Sequence, residues 1–250
     1  MQKNKEGLFD KNYFEKNAQG KHAPIGYNDA GASLFAQIIG KALYESIGPK
    51  RSVDIGCAKG YLVDFLYKSG IDAWGLDISS YAVSQATPEI KQRLFVVDAE
   101  DEALPFPEDY ADLITILEVL EHLHSFKLIA AEIKRILQKG GYLLISTPTP
   151  WGRFVKIDPT HVSVKPPGYW RRLFAKEGFI PAERKIWEVL KKTFLKEFKE
   201  AMPGNPPTTG ISATLQKMGS IGCALRSTLP YIDYFSLLRS DEVMLLKKSL

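Results

Sequence analysis

One stretch restricts the fold more than any other. A short apolar run, Val53-Asp54-Ile55, passes into Gly56-Cys57-Ala58-Lys59-Gly60 and straight on into Tyr61-Leu62-Val63. An apolar run, a glycine-rich turn and an amphipathic segment in that order predict a strand–turn–helix unit. In α/β proteins such a turn lies at the carboxyl end of a parallel strand, where nucleotide-bearing ligands bind. Glycine there lets the backbone approach a ligand that a Cβ would block.

The chain around this unit alternates. The spacing of apolar residues predicts a helix over 29–46, with Asp29 as its cap and Gly48-Pro49 as its stop. Strands follow at 52–55, 73–76, 94–97, 113–117 and 142–146. Helices fall between them at 61–69, 79–86 and 126–137, the last ended by Gly140-Gly141. This alternation implies a parallel sheet with helices on both faces. Beyond Thr147 prolines mark a long loop, then a helix at 169–177, a strand at 182–189 and a last strand at 243–246. Four parts are expected: an arm or lid over 1–28, a ligand-binding core over 29–189, a helical cap insertion over 190–238, and a final core strand in 239–250.

Three acids stand at successive strand ends. Asp54 closes the first, Asp77 the second in Gly75-Leu76-Asp77-Ile78-Ser79, and Asp98 the third in Val96-Val97-Asp98-Ala99. In a parallel sheet these ends share one edge. An acid after the second strand can accept hydrogen bonds from both hydroxyls of a ribose. Asp54 can accept from the loop or from a cationic ligand group. Ser79 is a further candidate to cap the following helix. A dinucleotide fingerprint reads G-x-G-x-x-G. Here its second glycine is Ala58 and its third is Tyr61, which argues against an NAD-dependent oxidoreductase.

The pattern Asp54-x-Gly56-x-Ala58-x-Gly60 resembles the [D/E]-x-G-x-G-x-G loop of the class I S-adenosylmethionine-dependent methyltransferases, with one substitution. Leu104-Pro105-Phe106, Glu118-Val119-Leu120-Glu121-His122-Leu123 and Gly140-Gly141 are similar to segments of the same family. The similarity covers about residues 27–149, and more loosely extends to Phe179. It implies a Rossmann-like, doubly wound, mostly parallel sheet of about seven strands, with the cap insertion before the last strand. It implies S-adenosyl-L-methionine as cofactor, held by Asp54, Gly56, Cys57, Ala58, Gly60, Asp77, Ile78, Asp98, Ala99 and Glu118. In the family the acid at the Asp98 position accepts from the adenine amino group, and the next backbone amide reads the ring.

For the acceptor the resemblance says little. Methyl transfer to a hydroxyl is aided by a general base, and an imidazole is neutral enough at pH 7 to serve. His161, in the loop after the fifth strand, is the candidate base, with Asp158 placed to orient it. His122 reads as a brace near the cofactor, and His124 and His22 as surface residues. Tyr13, Phe14 and Tyr27 are candidates to close over the cofactor, and Trp151 and Trp170 to line an acceptor pocket. Cys57 is small, and is not proposed as a nucleophile.

Composition trims the alternatives. A net charge of +4 with no dense basic stripe speaks against nucleic acid as partner. That favours a small-molecule hydroxyl over RNA or protein as acceptor. Two cysteines and four histidines do not fall at structural-zinc spacing, so no metal is expected. Few cysteines, no apolar leader, and no run of ~18 apolar residues predict a cytoplasmic chain with no membrane span. The apolar residues of 190–238 suit packing over the site or a homodimer contact.

Overall fold

The computed structural model describes residues 5–15, 29–150, 158–201 and 243–249. Seven strands make one sheet: β1 (Arg51–Ile55), β2 (Asp72–Asp77), β3 (Leu94–Val96), β4 (Ala111–Leu117), β5 (Leu137–Ser146), β6 (Phe179–Pro181) and β7 (Val243–Lys248). They lie in the order β3-β2-β1-β4-β5-β7-β6. The pairs among β1 to β5 are parallel, and β7 runs antiparallel to both β5 and β6. The chain builds outward from β1 to β3, then crosses back to lay β4 on the other side of β1. That reversal opens a crevice at the carboxyl ends of β1 and β4, the switch point where doubly wound sheets bind ligands.

Among the described residues, seven α-helices flank the strands: α1 (Lys11–Glu15), α2 (Asp29–Ser46), α3 (Tyr61–Lys68), α4 (Ser80–Ser84), α5 (Lys127–Ile136), α6 (Pro167–Lys176) and α7 (Arg184–Ala201). Strand side chains alternate between two apolar layers, as the two-residue period requires. Val53, Ile55, Ile114, Ile116, Leu143 and Ile145 pack with Ile129 and Ile133 of α5 and with Trp170 and Phe174 of α6. On the other face Leu113, Leu144, Val243 and Leu245 pack with α2, α3 and α7. Burial on both faces explains why β4 reads as a continuous apolar run.

Several sequence expectations need correction. Residues 182–189 are not a strand: Phe179–Pro181 forms the strand and α7 begins at Arg184. Ile186, Leu190, Thr193 and Phe194 recur at helical spacing, and that period decides the element. The boundary drawn at 189/190 therefore falls inside α7, whose Leu190 and Phe194 join the α2 layer. Residues 202–242, most of the expected cap, lie outside the described residues. Gly140-Gly141 does not precede the fifth strand but sits inside it, where the β4–β5 register shifts between Ala111 and Leu113. Gly140 takes φ 77° at this irregularity. Asp29 is the first residue of α2, and its carboxylate accepts from Lys59 Nζ at 2.8 Å and from the Tyr61 hydroxyl at 2.9 Å. It thereby ties α2 to the glycine loop. Trp170 is fully buried in the core, edge-on to Phe126 and Tyr169, and lines no acceptor pocket.

Candidate active site

The glycine loop hooks over the end of β2. Gly56 and Cys57 both donate their amides to the Leu76 carbonyl, at 2.7 and 3.0 Å, and Ala58 donates to Asp77 Oδ2 at 2.8 Å. Gly56 holds φ 78°, a left-handed conformation that costs glycine little. A Cβ there would stand 2.1 Å from Val119 Cγ2, so the loop lies hard against the segment that follows β4. Cys57 packs over Gly75 of β2, where a Cβ would meet its Sγ at 2.7 Å. Its thiol is buried against Gly75; burial and the nearby Asp77 and Asp54 push its pKa well up.

The three strand-end acids differ in surroundings. Asp54 is buried and accepts from Thr115 Oγ1 at 2.6 Å. Burial lifts its pKa to about 7 against the opposing pull of that hydroxyl, and Asp77 adds to the rise. Asp77, the last residue of β2, is buried too and accepts from the Ala58 and Ser79 amides at 2.8 Å each. Burial raises its pKa as well, although both amides lower it. Ser79 caps α4 by accepting from the Ala82 amide. Asp98 stands beyond β3, half-buried, and accepts from the Glu100 amide at 3.0 Å; Ala99 beside it is buried and Ile78 is half-buried.

Two buried carboxylates beside a glycine-rich turn disfavour their own charge. A ligand that brings a positive charge and hydroxyl donors offsets that cost. S-adenosylmethionine, a sulfonium and an amine on a ribosyl adenine, fits this donor and acceptor set.

The N-terminal segment 5–15 packs on this edge. Lys5 Nζ pairs with Asp98 Oδ2 at 3.3 Å, Glu100 Oε2 at 3.1 Å and Asp101 Oδ2 at 2.6 Å. The Phe9 carbonyl accepts from Ser79 Oγ at 2.5 Å, and its ring meets His122 edge-on at 5.3 Å. Phe14 is buried and lies 6.1 Å from the Tyr81 ring, while Tyr13 packs on Phe9. Tyr27, Trp151 and His22, also singled out from the sequence, lie outside the described residues.

On the far side of the glycine loop a second group converges. Glu118 follows β4 with φ 55°, donates its amide to the Ser146 carbonyl and accepts from Ser146 Oγ at 2.5 Å. Glu121 is buried; its Oε2 accepts from Thr147 Oγ1 at 3.1 Å. The Glu121 carbonyl accepts from the Val162 and Ser163 amides at 2.9 Å each, which pins the loop carrying His161 against the β4 segment. His122 and His161 face each other with ring centres 5.0 Å apart. His161 Nε2 is 3.9 Å from Asp158 Oδ2. His122 Nδ1 lies 3.2 Å from the Thr160 carbonyl and 3.0 Å from Thr160 Oγ1, and Thr160 Oγ1 donates to Asp158 Oδ1. Burial, then the His161 charge, pushes His122 down to about 4, so its ring is neutral at pH 7. Burial and the nearby Glu118 hold the Glu121 carboxyl well above the usual range. Sequence reasoning passed over Glu121. The signal was an acid set among Val119, Leu120 and Leu123, a position that buries it.

The profile of the family described as "Methyltransferase domain" matches residues 27–185, well over half of the chain. The ubiquinone biosynthesis O-methyltransferase of Hydrogenovibrio crunogenus is 30% identical over 109 residues, 42% of this chain and 45% of that protein. The chain thus spans about half the length of the curated relatives it matches. A solved S-adenosylmethionine-dependent methyltransferase from Archaeoglobus fulgidus superposes with a TM-score of 0.52 at 18% identity, covering 85% of this chain and 94% of that one. The phosphoethanolamine N-methyltransferase 2 of Haemonchus contortus, solved with S-adenosyl-L-methionine, gives 0.52 at 17% identity over 90% of this chain and 58% of that one. At such identities the two structures speak for the fold alone. The matched domain decides the kinship and the two structures the fold: this chain belongs to the methyltransferase-domain family, with a class I, Rossmann-like sheet.

Proposed function

We propose that the chain moves the methyl group of S-adenosylmethionine to a hydroxyl of a small molecule. The observation that carries this reading is one juxtaposition. The glycine loop with Asp54 and Asp77 touches, through Val119, the segment that presents His122 beside His161. A cation-tolerant nest and a pair of imidazoles thus flank one crevice. When bound, S-adenosylmethionine supplies a methyl group on a sulfonium, an electrophile that needs only in-line displacement by an acceptor oxygen.

Each residue then has a task. The loop residues Gly56, Cys57, Ala58 and Gly60 shape the nest, Asp54 faces the charged end, and Asp77 with Ile78 holds the ribose side. Asp98 accepts from the adenine amine and the Ala99 amide reads the ring. Glu118, held by Ser146, borders the acceptor side. His161 takes the hydroxyl proton, with Asp158 orienting its ring. The arm with Tyr13 and Phe14 excludes water. The similarity of the central domain to the named O-methyltransferases supports oxygen as the acceptor atom. Among the described residues no helix is long and apolar enough to cross a membrane. The buried free thiol of Cys57 suits a reducing, cytoplasmic setting. A homodimer is part of the reading, to be checked by sedimentation.

The test is transfer of labelled methyl from S-adenosylmethionine into pooled hydroxylated metabolites. We expect label in an ether or ester product of one low-molecular-weight acceptor. Label that appears only on nitrogen, on RNA or on protein overturns the reading.

A further inference from the structure

The acceptor side of the crevice carries more donor atoms than a single base requires. Glu121, His122 and His161 each place one ligand-competent atom within 4.8 Å of the others. Glu121 is only 1% exposed, and its Oε1 has no hydrogen-bond partner among the described residues. A buried carboxylate oxygen left without a donor is costly, and such groups call for an ion, a water or a proton. His122 Nε2 lies 3.9 Å from Glu121 Oε1.

The two imidazoles are prepared in different ways. His122 is oriented from behind. With its proton on Nδ1, the ring donates to the Thr160 carbonyl and leaves the Nε2 lone pair toward Glu121. A histidine that ligates a metal typically gives its other N–H to a carbonyl or carboxylate in this way. His161 arrives from a different loop, and the Val162 and Ser163 amides on the Glu121 carbonyl hold that loop in place. Thr160, bonded to both Asp158 and His122, links the two rings' supports.

We propose that Glu121, His122 and His161 form a binding site for one divalent cation of the kind that prefers imidazole with carboxylate, such as zinc or cobalt. Two imidazoles and one carboxylate make a set of three protein ligands, which leaves at least one coordination position open. Donor atoms around a tetrahedral zinc lie ~3.3 Å apart for bonds of ~2.0–2.1 Å, so the three side chains close inward by small rotations when the ion binds. On the methyl-transfer reading above, the open position is where an acceptor oxygen would sit; His161 then holds the ion, and the acidified acceptor hydroxyl loses its proton to solvent. The binding site itself does not depend on that reading.

Loss of His161 stops turnover whether the ring is base or ligand, so turnover does not discriminate. The test is calorimetric titration of the chelator-stripped full chain with Zn²⁺, alongside Co²⁺ followed by its visible absorption and Mg²⁺ as comparator. We expect one Zn²⁺ per chain, a Co²⁺ spectrum of low coordination number, and far weaker Mg²⁺ uptake. Glu121→Gln and His161→Ala each weaken Zn²⁺ binding by at least about 100-fold. Thr160→Val, which only removes support from His122, weakens it by about 10–100-fold. Thermal melting checks that each variant folds, and His161→Ala, a change in a half-buried loop, keeps the test open if Glu121→Gln does not. No stoichiometric Zn²⁺ or Co²⁺ binding overturns the proposal, as does binding unchanged in both ligand variants. Titrating the wild type with S-adenosylmethionine in parallel separates the two readings: cofactor binding without Zn²⁺ binding sinks the cation site alone.

Discussion

Burial holds the Asp54 carboxyl at about 7, and Thr115 supplies the donor that keeps it from rising further. The sign of the resulting linkage follows. Between the ordinary aspartate range and pH 7 the folded chain keeps a proton that the unfolded chain releases. This group's contribution to stability is therefore present below about pH 4 and lost as pH rises through about 7. A cation bound nearby reverses the preference and drives the proton off. On the role proposed for Asp54, S-adenosylmethionine affinity climbs by up to about tenfold per pH unit below 7 and flattens above it. Calorimetry at pH 6, 7 and 8, in buffers of different ionisation enthalpy, reads both the affinity and the released proton. Thr115→Val moves the break to higher pH. The three acids were legible in the sequence because each lies at or just past the end of a strand, and parallel strands bring their ends to one edge. The apolar neighbours of Glu121 signal its burial, but its partners were not legible. Its contacts to Thr147 and to the loop at 162–163 depend on how β5 and that loop return, which no local pattern records.

Elements that carry their own period were read well, and those set by neighbours were not. Helix α2 runs over Asp29–Ser46 as the spacing predicted, because its apolar stripe is long. Strand β6 was missed and the start of helix α7 misplaced, because three residues of strand lie beside a helix whose first turn is rich in charge. The correction yields a prediction. Phe194 of α7 is buried against the α2 layer, on a sheet face rather than at the strand ends. Phe194→Ala costs about 3–5 kcal/mol of stability, measured by denaturant unfolding, while cofactor affinity at low temperature stays within about twofold. The glycine loop behaves in the opposite way. Gly56→Ala forces a Cβ into Val119 at a positive φ, so it costs about 1–3 kcal/mol and also weakens cofactor binding. A variant that melts and binds like the wild type shows that the loop and the β4 segment are not in contact.

Across the whole molecule, a seven-stranded sheet presents its strand ends to an arm formed by residues 5–15. Lys5 lies between Asp98, Glu100 and Asp101. Burial alone would lower its pKa, but hydrogen bonds to Asp101 and Glu100 and the Asp98 charge outweigh that and raise it. These contacts are partly open to solvent, so salt loosens them. The arm's aromatics add to the hold, with Phe9 on His122 and Phe14 on Tyr81. The matched domain begins at residue 27, so nothing in it foreshadows these arm contacts.

A lysine seated on the carboxylate proposed for the adenine amine has a kinetic consequence. The adenosine must wait for the arm to lift, so the observed association rate levels off at high ligand concentration. The plateau equals the rate at which Lys5 leaves. Stopped-flow energy transfer from a dye attached to the arm reads it. Lys5→Ala, or added salt, raises that ceiling several-fold. A rate that stays linear in ligand up to the fastest measurable time shows that the arm is not a turnstile.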